Sequence, residues 1–290
     1  MFFVNPLEGV WEFPLRQNTF VVDISKDKPT ETVTLECNVS AEEQVYWQVK
    51  RQRRHGRTLQ IDVKEKVDVG NFTCHTEDGD DVDYKSVVIN NLSTLTHKKI
   101  LSYSKHPIHC AASNYSGHFN CSWKPSKSHD QYFFQAERGS LPIACHGPFR
   151  HHSDYVVNCY DQETCSHGEE NSHITFTLHA IQEKAYENHT KIFMLRDITR
   201  PDPPQDLDKS TKSGKVSLKW KYPKTWCNVH SFFPLIFNVN ITNERSMMSE
   251  HHKDIEGTSL ILPSKGTFHF CVQARDMYYN SSWSEWSCYM

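Results

Sequence analysis

Ten cysteines in 290 residues constrain this chain more than any other feature. Their spacing is that of disulfide partners and not of zinc ligands, so an oxidising compartment is expected. Eight Asn-x-Ser/Thr triplets agree, beginning at Asn38, Asn71, Asn91, Asn114, Asn120, Asn188, Asn240 and Asn280. One such triplet is common by chance, but eight beside ten cysteines point to the secretory pathway and to glycosylation. A net charge of −3 argues against nucleic acid as a partner. No stretch approaches the roughly 20 apolar residues of a membrane helix. The most apolar segment, 232–241, is broken by Pro234, Asn238 and Asn240. Met1-Phe2-Phe3-Val4 is too short for the apolar core of an export signal, so a leader is expected outside this sequence. If the chain is the whole mature protein, it is soluble and extracellular, without membrane insertion.

Length allows two or three domains. Short alternating runs between Gly, Pro, Asn and Ser clusters predict strands almost throughout, and an all-β fold. Val33, Leu35 and Cys37 alternate with outward Thr32, Thr34 and Glu36. Trp47 follows, and Asp68-x-Gly70-x-Phe72-x-Cys74 closes the set. Further on, Phe119, Cys121 and Trp123 share one strand face, leaving Asn120 outward. Pro201-Asp202-Pro203-Pro204 is too proline-rich for a central strand and marks a stiff linker. Beyond it, Val216, Leu218 and Trp220 point inward, as do Phe237, Val239 and Ile241, and then Phe268, Phe270, Val272 and Ala274.

The Cys37…Trp47…Cys74 order, with its Asp-x-Gly-x-aromatic-x-Cys corner, resembles an immunoglobulin domain. Phe72 stands where the usual tyrosine would, so the corner hydrogen bond is absent. Cys110-x10-Cys121-x-Trp123, followed by Cys145 and Cys159, resembles the first fibronectin-type domain of class I cytokine receptors. Trp283-Ser284-Glu285-Trp286-Ser287 is their WSxWS box, whose tryptophans stack in that family with basic side chains of a neighbouring strand. Arg275 is the candidate rung; Gln273 brings no charge, which shortens the ladder. Three tandem β-sandwiches are expected: an immunoglobulin-like one over 10–91, then fibronectin type III-like ones over 92–199 and 200–290.

Finer strings narrow the resemblance: Cys110 through Asn114-Tyr115-Ser116-Gly117 to Cys121, Arg196-Asp197-Ile198 before the prolines, and Asp276-Met277-Tyr278-Tyr279 before the box. With an extra cysteine, Cys165, shortly after Cys159, these resemble the interleukin-12 beta-subunit family. That family implies a secreted cytokine subunit, disulfide-linked to a four-helix cytokine alpha subunit seated at the elbow of the last two domains. The family's subunit serves both interleukin-12 and interleukin-23, so the helical partner need not be unique. A cell-surface cytokine receptor is the second implied partner. The resemblance assigns the interchain bond to Cys165, which lies in a polar loop where a thiol is exposed; pairing with Cys227 is the alternative. Cys37–Cys74, Cys110–Cys121 and Cys145–Cys159 are expected as intradomain bridges. Cys271 and Cys288 flank the 278–280 turn and are expected to pair across strands, with Cys227 free or capped.

Tyr115, Asp276, Tyr278 and Tyr279 are expected in loops at the elbow, with two readings. Tyrosines at a junction can be interdomain packing, or they can be a pocket in which Asp276 pairs with a basic side chain of the partner. The WSxWS box reads as an ordering device more than a contact surface. Lys50, Arg51, Arg53, Arg54 and Arg57 form a basic run between strands: a solvated loop, or a contact for sulfated glycan or an acidic receptor surface. Adjacent histidines, as in His151-His152 and His251-His252, should point to opposite faces and chelate nothing by themselves. No catalytic constellation, phosphate-binding loop, cofactor or metal motif is found, so an enzyme is not expected. The competing reading is the ectodomain of a membrane-bound or shed class I receptor alpha chain.

Overall fold

The computed structural model describes residues 9–40, 42–94, 107–125, 131–162, 170–226, 233–243, 247–263, 267–279 and 281–289. Cys165, Cys227 and Asn280 lie outside the described residues. The architecture is nearly all strand and consists of three tandem β-sandwiches. The one α-helical element among the described residues is the single turn Leu195–Ile198.

In the first sandwich the alternation of Val33 and Leu35 buries one face of Glu31–Glu36, which pairs with Thr58–Val63. Opposite lies the sheet of Thr19–Ile24, Asp81–Asn91, Gly70–Thr76, Val45–Val49 and Gln52–His55. Cys37–Cys74 joins the two layers with Cα atoms 6.1 Å apart. Trp47 is buried with them, and its Nε1 donates to the Arg57 carbonyl at 3.1 Å. Gly70 has φ +143°, closed to side-chain-bearing residues, and a Cβ there would stand 3.2 Å from Lys184 Cε. The expected basic loop is instead a hairpin: Arg53 and Arg54 lie on Gln52–His55, paired with Val45–Val49, and Arg53 stacks over Tyr46 at 4.4 Å. The basic run, without apolar–polar alternation, hid an edge strand whose two faces are both exposed.

Thr19–Ile24 is buried almost throughout because its outer face meets the second sandwich. Phe13, Val21 and Val88 pack there with Ile181 and Tyr186. The sheets are continuous across this seam, since Ala185 and Tyr186 pair in parallel with Ile89 and Asn90.

The second sandwich sets Gln131–Arg138, Ile174–Gln182 and Ala185–Phe193 against a four-stranded sheet ordered Ala144–His151, Asp154–Tyr160, His118–Trp123, Ile108–Ala111. Cys145–Cys159 and Cys110–Cys121 staple the two outer seams of that sheet, each between directly opposed residues. At its hairpin end His152 has φ +55°, so the His151 and His152 rings do not diverge as expected on a strand. Their Nδ1 atoms are 3.2 Å apart.

The third sandwich packs Gln205–Lys212, Lys215–Lys221 and Ser259–Pro263 against Ser249–Ile255, Leu235–Asn243, Phe268–Asp276 and Ser287–Tyr289. Cys271 and Cys288 are bonded across the last pair of strands. One apolar core runs without interruption from Ile108 and Trp123 through Tyr115 and Trp226 to Trp220 and Phe270. The elbow is therefore itself packed core.

Candidate partner-binding site

The elbow is built from loops that each sandwich presents at one end. Tyr115 sits between Ile108–Ala111 and His118–Trp123, on a turn set by Asn114, whose Oδ1 accepts the Ser116 N–H at 2.9 Å. The Asn114 amide then crosses to the third sandwich, donating to the Thr225 carbonyl at 2.8 Å. Thr225 in turn donates to Asp202 of the proline linker at 2.7 Å. The linker is held by Arg200, whose backbone N–H donates to Ala112 O at 2.7 Å and whose Nε donates to Trp283 O at 2.8 Å.

Asp276 ends the strand Phe268–Asp276 and organises the turn after it. Its Oδ1 accepts the N–H groups of Tyr278 at 2.7 Å and Tyr279 at 2.9 Å, while its own N–H donates to Ser281 Oγ. Its Oδ2 lacks such a donor bond, and the carboxyl group interacts with the Tyr115 hydroxyl. Burial drives the Asp276 pKa up and outweighs the two backbone donors and Tyr115. Burial, with Asp276 beside it, likewise raises the Tyr115 hydroxyl pKa.

Around this acid stands an aromatic wall. Tyr115 meets Trp226, Phe233 and Tyr279 edge-on, at ring separations of 5.6, 5.4 and 6.0 Å. Phe233 also contacts Tyr278, and Arg196 places its guanidinium 5.3 Å above Tyr279. The structure thus brings Tyr115, Asp276, Tyr278 and Tyr279 together, but not at one depth. Asp276 is 0% exposed and Tyr115 4%, so both lie within the core at the elbow. Tyr278, at 65%, presents itself to solvent. The reason is packing: Trp226 and Phe233 close over Tyr115 from the third sandwich.

A second ionic cluster adjoins the wall. Arg138 pairs with Asp161 at 2.6 Å and Glu170 at 3.0 Å, and donates to the Ser172 carbonyl. Asp161 and Glu170 flank the undescribed segment that contains Cys165. Glu170 also caps the helical turn, accepting the Leu195 and Arg196 N–H groups at 2.7 and 3.0 Å. Trp226, Phe233, Arg138, Glu170 and Arg196 were not singled out as site residues. A tryptophan in the polar 221–227 stretch was the available signal for Trp226; the salt bridges are long-range and leave no local pattern.

In the WSxWS box Arg275 lies 4.5 Å over the Trp283 ring. Ser284 exchanges two bonds with Ala274, N–H to O at 2.7 Å and Oγ from N–H at 2.9 Å. Trp286 is 41% exposed, and Ser287 enters the final strand. Of the sequon asparagines, Asn38, Asn71, Asn91 and Asn120 are exposed, whereas Asn114, Asn188 and Asn240 are half-buried. Among the described residues no group of three metal-ligating side chains occurs.

Residues 105–182 match the family model described as cytokine interleukin-12p40 C-terminus. Over nearly the full length, the chain is similar to proteins named interleukin-12 subunit beta. It is 33% identical to that of Felis catus over 97% of this chain and 93% of the relative. It is 33% identical to that of Cervus elaphus (98% and 93%) and 32% to that of Macaca mulatta (99% and 94%).

Proposed function

The chain belongs to the interleukin-12 subunit beta family and is a cytokine subunit, and from that premise we propose that it is secreted and holds a helical alpha subunit at the elbow. The observation that supports this reading is a buried carboxylate with a raised pKa among tyrosines, with exposed Tyr278 next to it in the same turn. A carboxylate desolvated in this way gains most from a cation delivered with its own hydrogen-bond donors, such as an arginine of the partner. The guanidinium reaches Asp276 beside exposed Tyr278, and the surrounding rings exclude water. Cys165, four residues after Asp161 and five before Glu170 in sequence, supplies the covalent link. The heterodimer presents the helical subunit to a cell-surface receptor. The chain divides at 10–91, 92–199 and 200–290, and it binds and does not catalyse. The near-full-length match to beta subunits supports this reading over a receptor ectodomain.

Non-reducing electrophoresis of the protein secreted by its native cells tests the proposal. A reduction-sensitive heterodimer is expected, whose second chain maps to a helical cytokine, and Cys165→Ser should separate the chains on a denaturing gel. A chain secreted alone, or a covalent pair that survives Cys165→Ser, contradicts it.

A further inference from the structure

Within the seven residues before Tyr84 stand Glu77, Asp78, Asp80, Asp81 and Asp83. The chain reverses among them, the Thr76 N–H donating to the Asp80 carbonyl at 3.0 Å, before it enters the strand Asp81–Asn91. On a regular strand Asp81 and Tyr84, three residues apart, would point to opposite faces. Here the pairing with Gly70–Thr76 carries an extra residue at Val82: Tyr84 lies opposite Thr73 and Asp83 opposite Cys74, but Asp81 lies opposite His75. Cys74 points into the core, so Thr73, His75, Asp81 and Tyr84 share the outer face. His75 Nδ1 pairs with Asp81 at 2.7 Å along that face, and Thr73 Oγ1 meets His75 Nε2 at 2.8 Å. Tyr84 is 49% exposed. The cation next to it in sequence, Lys85, turns inward and is paired with Asp83 at 2.9 Å.

We infer that Tyr84 is a site of O-sulfation. An enzyme that takes sulfate from a nucleoside phosphosulfate must hold an anionic donor, so its cleft is cationic and draws in a phenol set among carboxylates. The outward bulge supplies that setting on the folded chain, since it turns an acid and the tyrosine to the same side. Tyr160 and Tyr278, also exposed, do not share it: the acids beside them, Asp161 and Asp276, are buried. In the transfer, Tyr84 Oη bonds to sulfur and the bond from sulfur to the phosphate oxygen breaks. The nucleoside phosphate leaves with the electron pair, and the phenolic proton passes to a base of the transferase. The product carries a fixed negative charge on the outer face of the first sandwich.

The inference rests on export through the secretory pathway, and the test separates the two. Native protein secreted from eukaryotic cells is digested, and the peptide that bears Tyr84 is read by mass spectrometry able to tell sulfate from phosphate. Sulfate on Tyr84 is expected, and it should disappear when chlorate starves the cells of the phosphosulfate donor. Asp80→Asn combined with Asp81→Asn keeps the phenol and removes two of the acids, and should lower occupancy at least about tenfold. Asp206→Asn, at an exposed acid of the third sandwich, should leave occupancy unchanged. Glycans on the sequons with Tyr84 unmodified or phosphorylated overturn the sulfation alone, as does an occupancy indifferent to the loss of Asp80 and Asp81. A chain with neither glycan nor sulfate, retained in the cell, overturns the export reading as well.

Discussion

Asp276 is subject to opposed demands. Its Oδ1 orders the Tyr278–Tyr279 turn, while its negative charge is held away from water. Because the folded chain raises its pKa, this group stabilises the fold below the unfolded-chain value and loses that contribution as pH rises through the folded one. Above its folded pKa the ionised acid is a net cost to the free chain. Asp276→Asn keeps an oxygen for both N–H groups and removes the charge. Its thermal midpoint at pH 7 should therefore equal or exceed that of the unsubstituted chain, with a smaller dependence on pH between 4 and 7. A marked loss of stability at pH 7 would show that the carboxylate is held for structure and not for a partner. At this scale the sequence was partly legible. The Asp276-Met277-Tyr278-Tyr279 string and Tyr115 are brought together, but their depths were not foreseeable, because Trp226 and Phe233, which pack on Tyr115, are distant from it in the chain.

Ion pairs that hold elements together form the next level. Arg138 ends a strand of the second sandwich and joins Asp161, after Asp154–Tyr160, to Glu170, which caps the turn Leu195–Ile198. Both carboxylates are largely buried, so Arg138→Met leaves two acids without their cation. A loss of about 3–5 kcal/mol is expected, read as a lower urea midpoint; a change below the error of the measurement would contradict the clamp. Gly147 is the second pressure point. It sits at φ +134° where the pairing of Ala144–His151 with Asp154–Tyr160 shifts register, and an added Cβ would be 3.0 Å from the Val156 carbonyl. Gly147→Ala should cost about 1–3 kcal/mol, from the same unfolding curves, and no loss would refute the strain. Strands with apolar–polar alternation, such as Lys215–Lys221, could be read from sequence. The basic hairpin could not, because a strand exposed on both faces has no alternation to show. His151-His152 misled for a related reason: the rule of opposite faces fails once one residue leaves the strand geometry.

Across the whole molecule, two different seams join the three sandwiches. The first is a continuous sheet with an aromatic cluster, and the second is a shared core that runs through the elbow. Three sandwiches with their own cysteine and tryptophan signatures were legible, since each signature is local. The seams were not, because they depend on the outer faces of strands such as Thr19–Ile24, whose burial comes from a neighbouring sandwich. A shared core at the elbow means that Tyr115, Asp276 and Tyr278 hold fixed relative positions before any partner arrives, and pre-organisation of this kind lowers the cost of binding. The proposal that the elbow takes a cation of the helical subunit is tested most directly by affinity for that subunit in a Cys165→Ser background, where no covalent bond masks the equilibrium. Asp276→Asn should weaken binding at pH 7 by about 2–5 kcal/mol, or at least about thirtyfold in Kd, while the free chain stays folded. An unchanged Kd for this folded variant would contradict the account.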